Sequence, residues 1–304
     1  MSTFKTNISK KQLDSIIAAL ALDPNPQIKA LKAGEVSAAY ELEFPNYSLI
    51  LRINKHSDSG FWKDLYAYNN FTQYGISIPR IIKNGRKGQF YYSLSEKCPG
   101  KQLDSFNNEE GRVMEYDLFA QLAMLHAIPP MGKGYGVWGK NLQAKKAGSI
   151  NNLHYVIGDR DIKKIIKPFT KLDIHKKLQN IALDLETYLP KERYLIHADS
   201  GFNNSFGDGR HITGLIDWAE SSYGDFLYDI AWLMFWNKNA LETDENFLKF
   251  AGLKPGFYNT DHFKERINCY IITIGFGSLS FFTRSDQAKP YQDTIDILKH
   301  FKIL

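Results

Sequence analysis

A short β insert interrupts the helical second half of this sequence, and it constrains the fold more than any other feature. The apolar run RYLIH (193–197) enters the polar stretch HADSGFNN (197–204), which leads into NSF (204–206). Asp208-Gly209 is a pair typical of tight hairpin turns, and HITGLID (211–217) returns from it as a second apolar run. The pattern therefore predicts a β-hairpin with polar side chains in its entry loop and at its end.

The first third of the chain has the patterns of strands and helices. Four apolar residues share one face of a predicted N-terminal helix: Leu13, Ile16, Ile17 and Leu20. Apolar residues near helical spacing predict a second helix over residues 60–74. Four runs predict strands: ALKAGEVSAAYELEF (30–44), YSLILRINK (47–55), ISIPRII (76–82) and GQFYYSLSE (88–96).

A break at CPGKQL (98–103) separates this part from a mostly helical remainder. Helices are predicted over residues 109–128, with Asn108 as N-cap, and over residues 174–189, where Pro190 ends the helix. We therefore expect a smaller β-rich lobe over residues 1–97 and a larger helical lobe over residues 98–304. With the hairpin, this arrangement indicates an α+β, two-lobed fold of the protein-kinase-like type.

The composition excludes several other classes of protein. The chain has two cysteines, Cys98 and Cys269, which are far apart and outside any metal-binding spacing, as expected in a reducing compartment. No apolar run approaches the ~18 residues of a membrane span, and IIAALAL (16–22) fits an amphipathic helix better than a signal peptide. The net charge is +5, but the lysines are scattered and no RNA-binding aromatic motif occurs. We expect a cytoplasmic protein, monomeric or dimeric, that binds neither membrane nor nucleic acid.

The polar residues of the hairpin match what phosphoryl transfer requires. That reaction needs magnesium held against the phosphates, an aligned acceptor hydroxyl and a carboxylate that receives its proton. Asp199 lies early in the loop, Asn204 offers an amide oxygen, and Asp217 offers a carboxylate at the end of the returning run. Oxygen atoms of this kind are the ligands that Mg²⁺ prefers. The alternative is an ordinary polar turn, because Asp, Asn and Gly are common turn residues.

These residues resemble a known family. HADSGFNN followed by GLIDW resembles the H-x-D-x-x-x-x-N and I-D-W signature of the aminoglycoside phosphotransferases, two-lobed relatives of the protein kinases. YGDFLYDIAWLMFW (223–236) is similar to the G-D-x-x-x-D-[LI]-A segment that follows in that family. Four other stretches resemble the hygromycin B phosphotransferase branch, in the same order: GEVSAAYELEF, LILRINKHSDSGFWKDLYAYNNF, ISIPRII and RINCYIITIGFGSLSFF. Residues 105–190 match poorly.

The resemblance implies a role for each matching residue. Asp199 would be the catalytic base, and Asn204 and Asp217 would hold Mg²⁺. Arg52 stands where most relatives have a lysine over the α- and β-phosphates, and Asp64 stands about where its partner glutamate is expected. Arg–Asp in place of Lys–Glu departs from the family pattern, although arginine can still bind phosphate through its planar fork. The alternatives are that Arg52 is an exposed strand residue and Asp64 a helix surface residue.

The resemblance also implies a nucleotide site in the first lobe. Residues 34–37, from Gly34 to Ser37, would cover the phosphates of ATP or GTP, and Ser37 or nearby backbone N–H groups would meet the β-phosphate. Ser95 to Lys97 would form the hinge whose backbone contacts adenine.

The charge distribution gives an independent indication of the acceptor. Residues 197–245 contain nine acids and two bases, a net charge of −7, so the rest of the chain carries +12. We expect Asp225 and Asp229 to cap or brace the helix that begins near residue 226. Glu220, three residues past Asp217, is the acid expected to line the cleft mouth and bind substrate. An acidic cleft beside magnesium fits a cationic, hydroxylated substrate such as an aminoglycoside.

The resemblance and the charge pattern together predict an ATP-dependent phosphotransferase. Its acceptor would be an aminoglycoside or aminocyclitol hydroxyl, in a compound like hygromycin B, and the reaction would confer antibiotic resistance. Two alternatives stay open: a kinase of another hydroxylated metabolite or a macrolide, and a non-catalytic nucleotide-binding pseudokinase. The sequence leaves open the exact acceptor, the hydroxyl that is phosphorylated, and the choice between ATP and GTP.

Overall fold

The computed structural model divides the chain into two compact units. It describes residues 4–22, 25–31, 34, 36–55, 59–158, 165–237 and 243–304. Unit 1 is Met1–Pro99 with Thr213–Ala219, and unit 2 is Gly100–Ile212 with Glu220–Leu304. The chain therefore enters unit 1 a second time after the hairpin turn and then returns to unit 2.

Among its described residues, unit 1 is built on a five-stranded antiparallel sheet. The strands are β1 (Gln27–Leu31), β2 (Ala38–Glu43), β3 (Ser48–Asn54), β4 (Ile81–Lys87) and β5 (Phe90–Glu96). They lie in the order β1-β2-β3-β5-β4. Arg52 of β3 is opposite Ala39 of β2 on one side and Ser93 of β5 on the other. Because directly opposed residues share a face, these three residues lie on the same face of the sheet.

Helix α1 (Lys10–Leu20) covers the other face of this sheet. Ser9 is its N-cap, and Ser9 and Gln12 form a reciprocal capping box. The four predicted apolar residues of the helix are buried. They pack in one cluster with residues of β2, of the turn after β2, of β3 and of β5. These residues are Leu42, Phe44, Leu49, Leu51, Ile53, Phe90, Tyr92 and Leu94. The prediction of an amphipathic N-terminal helix is confirmed.

Helix α2 (Ser59–Phe71) and the 3-10 turn Thr72–Tyr74 confirm the helix predicted over residues 60–74. The strand predicted over residues 76–82 is wrong in position, because β4 begins only at Ile81. Pro79 explains the shift, since proline has no N–H to donate and is kept out of the interior of a sheet. The run 30–44 is not one strand, because it includes the last two residues of β1 and the whole of β2.

Unit 2 is mostly helical. Its described helices are α3 (Asn108–His126), α4 (Ser149–Ile157), α5 (Leu172–Leu185), α6 (Leu227–Trp236), α7 (Thr243–Gly252), α8 (Phe263–Arg284) and α9 (Ala288–His300). The long helix α8 packs against α4, α5, α6 and α9. The two predicted helices are confirmed as α3 and α5, but the N-cap of α3 is Asn107, whose side chain accepts the N–H groups of Glu109 and Glu110. No helix in the described ranges combines the length and the apolar character needed to cross a membrane.

Short strands frame the polar loop of unit 2. Strand β9 (Tyr194–Ile196) enters the loop, β10 (Ser205–Gly207) leaves it, and β11 (Ile212–Leu215) follows the turn. Strand β9 pairs with β12 (Ser222–Gly224), and β10 pairs with β6 (Lys101–Gln102). Two further strands, β7 (Tyr135–Trp138) and β8 (Ala144–Lys146), extend the sheet of β9 and β12. The sequence analysis missed β6, β7, β8 and β12, because strands of two to four residues are too short to show a period of two.

A buried ion pair ties α8 to the start of α6. The two carboxylate oxygens of Asp225 accept hydrogen bonds from Arg266, at 2.9 Å from Nε and 2.7 Å from Nη2. Asp225 Oδ1 also accepts the N–H of Leu227 at 3.2 Å. Asp225 therefore braces the start of α6, as predicted.

The packing of α1 predicts the effect of a mutation at its centre. Ile16 is 1% exposed, whereas its neighbour Ser15 faces solvent. We expect Ile16→Ala to lower the free energy of unfolding by about 2–5 kcal/mol, because buried apolar contacts are lost and a cavity remains. The control Ser15→Ala should stay within about 0.5 kcal/mol of wild type. Urea unfolding followed by circular dichroism measures both, and equal effects would contradict the packing of α1.

Candidate active site

The loop between β9 and β10 holds Asp199 and Asn204 side by side. Asn204 Nδ2 donates to the backbone oxygen of Asp199 at 3.0 Å, so the amide is fixed beside the acid. The N–H of Asn204 donates to the oxygen of Gly201 at 2.9 Å and closes the turn between them. Asn204 is buried and Asp199 is half-buried. Since Nδ2 is engaged, Oδ1 of Asn204 is the atom that can bind a cation.

Asp229 of α6 fixes the start of this loop. Its buried carboxylate accepts the N–H of His197 at 3.1 Å and the N–H of Ala198 at 2.7 Å. Ala198 has a φ of +64°, a left-handed conformation that costs a non-glycine residue about 1–2 kcal/mol. Hydrogen bonds to a charged group contribute about 1.5–3 kcal/mol each and can offset that cost. The carboxylate of Asp229 thus braces the loop before Asp199. The sequence analysis expected it instead to cap or brace α6, the helix to which it belongs.

A second layer of buried side chains holds Asp229 in place. His126 Nε2 lies 3.0 Å from Asp229 Oδ2, and His126 Nδ1 lies 3.0 Å from the hydroxyl of Tyr258. With the imidazole neutral, Nε2 donates to the carboxylate and Nδ1 accepts from the tyrosine. Burial raises the pKa of Tyr258, as does the nearby Asp229 carboxylate, so the hydroxyl keeps its proton. Sequence reasoning missed this histidine, which lies 103 residues from Asp229 and has no local motif.

Tyr228 of α6 is half-buried. Burial raises the pKa of Tyr228, and the carboxylates of Glu220, Asp199 and Asp229 raise it further. Glu220 itself is exposed to solvent.

In unit 1, the structure brings together Arg52, Asp64 and Asp217. Arg52 Nη2 contacts Asp64 Oδ2, and Arg52 Nη1 lies 3.9 Å from Asp217 Oδ1. The other oxygen of Asp64 accepts the N–H of Trp218 at 2.9 Å. The side chain of Asp64 is 4% exposed and that of Arg52 is 20% exposed, so neither is an ordinary surface residue. Asp217 is 42% exposed and keeps its carboxylate accessible.

Lys63 is a further residue of this cluster that sequence reasoning missed. Its side chain is buried, and Nζ donates to the backbone oxygen of Ala219 at 2.9 Å. Together with Asp64, it holds the residues that follow Asp217 against α2. Asp217 has a φ of +65°, so this backbone also needs support from its surroundings. No sequence signal distinguishes Lys63 from the scattered surface lysines.

The predicted phosphate loop connects β1 and β2. Gly34 has a φ of +75°, which glycine adopts without steric cost, and Ser37 is half-buried. Residue 35 lies outside the described residues. The loop leads into β2 two residues before Ala39, the residue opposite Arg52. It therefore lies at the same end of the strands as the Arg52 cluster.

Ser95 and Lys97, the predicted hinge residues, lie at the end of β5. The N–H of Glu96 donates to the oxygen of Arg80 at 2.9 Å, and the N–H of Lys97 donates to the oxygen of Ser48 at 3.4 Å. Because these two donors are engaged within unit 1, contact with adenine through residues 96 and 97 would have to use their carbonyl groups.

The residues predicted to hold magnesium have suitable chemistry. In the described part of the chain, no group of three or more His, Cys, Asp or Glu side chains could hold a metal ion. The predicted ligands are of another kind, one amide and one carboxylate, and Mg²⁺ in a nucleotide complex takes its other ligands from phosphate and water. Asn204 Oδ1 is oriented by the bond of Nδ2, and the Asp217 carboxylate is accessible. These oxygen donors fit Mg²⁺.

A family comparison covers most of the chain. The model of the phosphotransferase enzyme family, APH, matches residues 27–257. The chain therefore belongs to this family. It is also 25% identical over 270 residues to hygromycin-B 4-O-kinase of Escherichia coli, and the match covers 84% of this chain and 75% of that protein.

Solved structures share the fold. The structure of aminoglycoside phosphotransferase APH(4)-Ia superposes with a TM-score of 0.78 at 21% identity and covers 96% of this chain and 99% of that one. Spectinomycin phosphotransferase, in complex with ADP and spectinomycin, gives a TM-score of 0.70 at 13% identity and covers 98% and 100%. These likenesses confirm the predicted α+β, protein-kinase-like fold class, with a β-rich first part and a helical remainder.

The brace on the loop predicts the effect of changing Asp229. We expect Asp229→Asn to destabilise the protein by about 1–3 kcal/mol, because an amide Nδ2 would face a buried N–H donor. Phosphotransferase turnover should fall as well, since the backbone before Asp199 loses its support. Urea unfolding and ADP release measure the two effects, with the exposed Glu245→Gln as the control. Wild-type stability and turnover in Asp229→Asn would show that the brace is dispensable.

Proposed function

We propose that this chain is an ATP-dependent O-phosphotransferase that acts on an aminoglycoside or aminocyclitol hydroxyl and confers antibiotic resistance. The observation that carries the proposal is the loop in which Asp229 braces Ala198 and Asn204 is bonded to Asp199. Family membership and the relative named hygromycin-B 4-O-kinase support the same reaction class. A structural relative of this chain was solved in a ternary complex with ADP and hygromycin B. We propose a cytoplasmic location, where ATP is available.

Asp199 would act as the general base. Its carboxylate would accept the proton of the acceptor hydroxyl while the hydroxyl oxygen attacks the γ-phosphorus of ATP. The bond between the γ-phosphorus and its bridging oxygen breaks, and ADP leaves. Asp229 would contribute only through the backbone, because it holds Ala198 and thereby keeps the side chain of Asp199 in one orientation.

Asn204 and Asp217 would supply oxygen ligands to Mg²⁺, which when bound neutralises charge on the phosphates. Arg52 would contact the α- and β-phosphates, with Asp64 holding its guanidinium. The planar fork of arginine suits phosphate oxygens, so the departure from lysine is compatible with this role.

The rest of the nucleotide would lie against other parts of unit 1. Gly34 and Ser37 would belong to the loop over the phosphates, where backbone N–H groups can bind an anion. Ser95 and Lys97 would adjoin adenine at the end of β5.

The acceptor that we propose is cationic. Two acids of residues 197–245 stabilise the fold. Asp225 forms an ion pair with Arg266, and Asp229 accepts the N–H of Ala198 in the loop. Glu220 differs from them because it is exposed to solvent. Glu220 would take a charge-assisted hydrogen bond from a substrate ammonium group.

A panel of acceptors tests the proposal directly. The purified chain is incubated with ATP, Mg²⁺ and, in separate reactions, hygromycin B, spectinomycin, other aminoglycosides, a macrolide and small hydroxylated metabolites. We expect ADP to form with at least one aminoglycoside or aminocyclitol. ADP with only a macrolide or a metabolite would identify a different small-molecule kinase. Nucleotide binding without turnover on any acceptor would identify a pseudokinase.

The base assignment predicts a specific loss. We expect Asp199→Asn to lower turnover about 10²–10⁴-fold, the range for losing a positioned general base, while ATP binding stays nearly intact. Steady-state kinetics and nucleotide titration separate the two quantities. Near-wild-type turnover would remove Asp199 from the mechanism.

The metal assignment predicts a changed magnesium dependence. Asp217→Ala should lose most magnesium-dependent nucleotide binding, and Asn204→Ala should need more magnesium for half-maximal turnover, because each variant removes one oxygen ligand. A magnesium titration of turnover and nucleotide binding measures both. If both variants follow the wild-type curve, these residues are structural.

The acceptor assignment predicts a loss confined to cationic substrates. Glu220→Gln should lower kcat/KM for a cationic acceptor roughly ten- to hundredfold, which corresponds to the loss of one charge-assisted hydrogen bond. The KM for ATP should barely change. Assays against hygromycin B and other aminoglycosides, with ATP varied separately, measure this. Unchanged acceptor kinetics across the panel would show that Glu220 does not contact the substrate.

A further inference from the structure

A short segment before α1, residues 4–6, lies against the β1–β2 loop within unit 1; we call it the N-terminal strap. Lys5 Nζ donates to the backbone oxygen of Gly34 at 2.5 Å and to the backbone oxygen of Ser37 at 2.7 Å. One ammonium group therefore bridges both ends of the stretch that we propose covers the phosphates. Such bonds are charge-assisted, so they hold the loop more firmly than neutral hydrogen bonds would.

Thr6 adds two hydrogen bonds to this connection. Its N–H donates to the oxygen of Val36 at 2.7 Å, and its hydroxyl accepts the N–H of Lys55 at 3.2 Å. Thr6 is buried, and Lys55 directly follows β3, three residues after Arg52. The strap therefore ties the loop to the end of the strand that carries Arg52.

These bonds fix the direction in which the peptide groups of the loop face. In a trans peptide, the N–H of each residue points opposite to the carbonyl of the residue before it. Because the oxygen of Val36 faces Thr6, the N–H of Ser37 points away from the strap. The carbonyl oxygens of Gly34 and Ser37 are likewise turned toward Lys5.

We propose that Lys5 is a positioning residue for the phosphates of the bound nucleotide. By holding carbonyl oxygens of the loop on the strap, it keeps their partial negative charge away from an anion and leaves N–H groups such as that of Ser37 to bind it. Lys5 acts through the loop and does not itself contact the reacting atoms. The proposal rests on the nucleotide site of the proposed function.

The test replaces Lys5 by methionine in the full chain, with any purification tag placed after Leu304. Lys5→Met removes the ammonium and keeps the length of the side chain. We expect the dissociation constant of Mg²⁺–AMP-PNP to rise about five- to thirtyfold, because the loop would occupy its binding conformation for a smaller fraction of the time. The KM for ATP should rise by the same factor, whereas kcat and the KM for the acceptor should stay within about twofold. A merely structural role would not raise the KM for ATP while leaving kcat and the KM for the acceptor unchanged.

Two further variants control for charge and for folding. Lys11→Met removes the same charge from an exposed position on α1 and should bind the nucleotide as wild type does. Lys5→Arg keeps a cation and should restore part of the affinity. The circular dichroism spectrum of Lys5→Met without urea should match that of wild type, which shows that the variant is folded.

The possible outcomes separate this proposal from the proposed function. Wild-type nucleotide affinity in folded Lys5→Met, or equal weakening in Lys11→Met, would overturn the role of Lys5. A wild-type protein that binds Mg²⁺–AMP-PNP but phosphorylates no acceptor would overturn the proposed function, and the affinity comparison would still decide the role of Lys5. A wild-type protein that binds no nucleotide would overturn both.

Discussion

The buried carboxylate of Asp229 is the constraint on which the candidate active site of unit 2 depends. An unpaired buried charge costs several kcal/mol, so the folded state must supply hydrogen-bond donors to it. The donors are the N–H groups of His197 and Ala198 and the imidazole of His126. Two of them belong to the loop that carries Asp199. The requirement to satisfy one buried acid therefore also sets the orientation of the proposed base.

A buried carboxylate performs a similar task in unit 1. Asp64 binds the guanidinium of Arg52 with one oxygen and the N–H of Trp218 with the other. In both units, a non-glycine residue in the left-handed region lies at the point of support: Ala198 before Asp199, and Asp217 itself. Strained backbone of this kind persists only where the surroundings hold it. Each unit thus stabilises a backbone conformation that the isolated loop would not keep, at Asp217 itself in unit 1 and directly before Asp199 in unit 2.

The acids of residues 197–245 divide into structural and accessible groups, and this division bears on the proposed substrate. Asp225 and Asp229 are buried and hydrogen-bonded, so they add little to the field that a substrate meets. Asp199 is half-buried and Glu220 is exposed, and these are the acids for which we propose roles in chemistry and recognition. A net charge counted from the sequence includes both groups. It therefore indicates a cationic acceptor but does not show which acids would meet it. The proposed preference depends on the accessible acids alone.

The sequence by itself determined the features that local patterns encode. Helix α1 follows from its apolar period, and the loop with Asp199 and Asn204 follows from a motif eight residues long. Only the tertiary structure decided the rest. His126 reaches Asp229 across 103 residues, Lys63 reaches Ala219 across 156, and Lys5 reaches Ser37 across 32, and none of these pairs belongs to a local pattern. Such contacts form because buried or charged groups must find partners wherever the fold provides them, and a linear pattern does not carry that information.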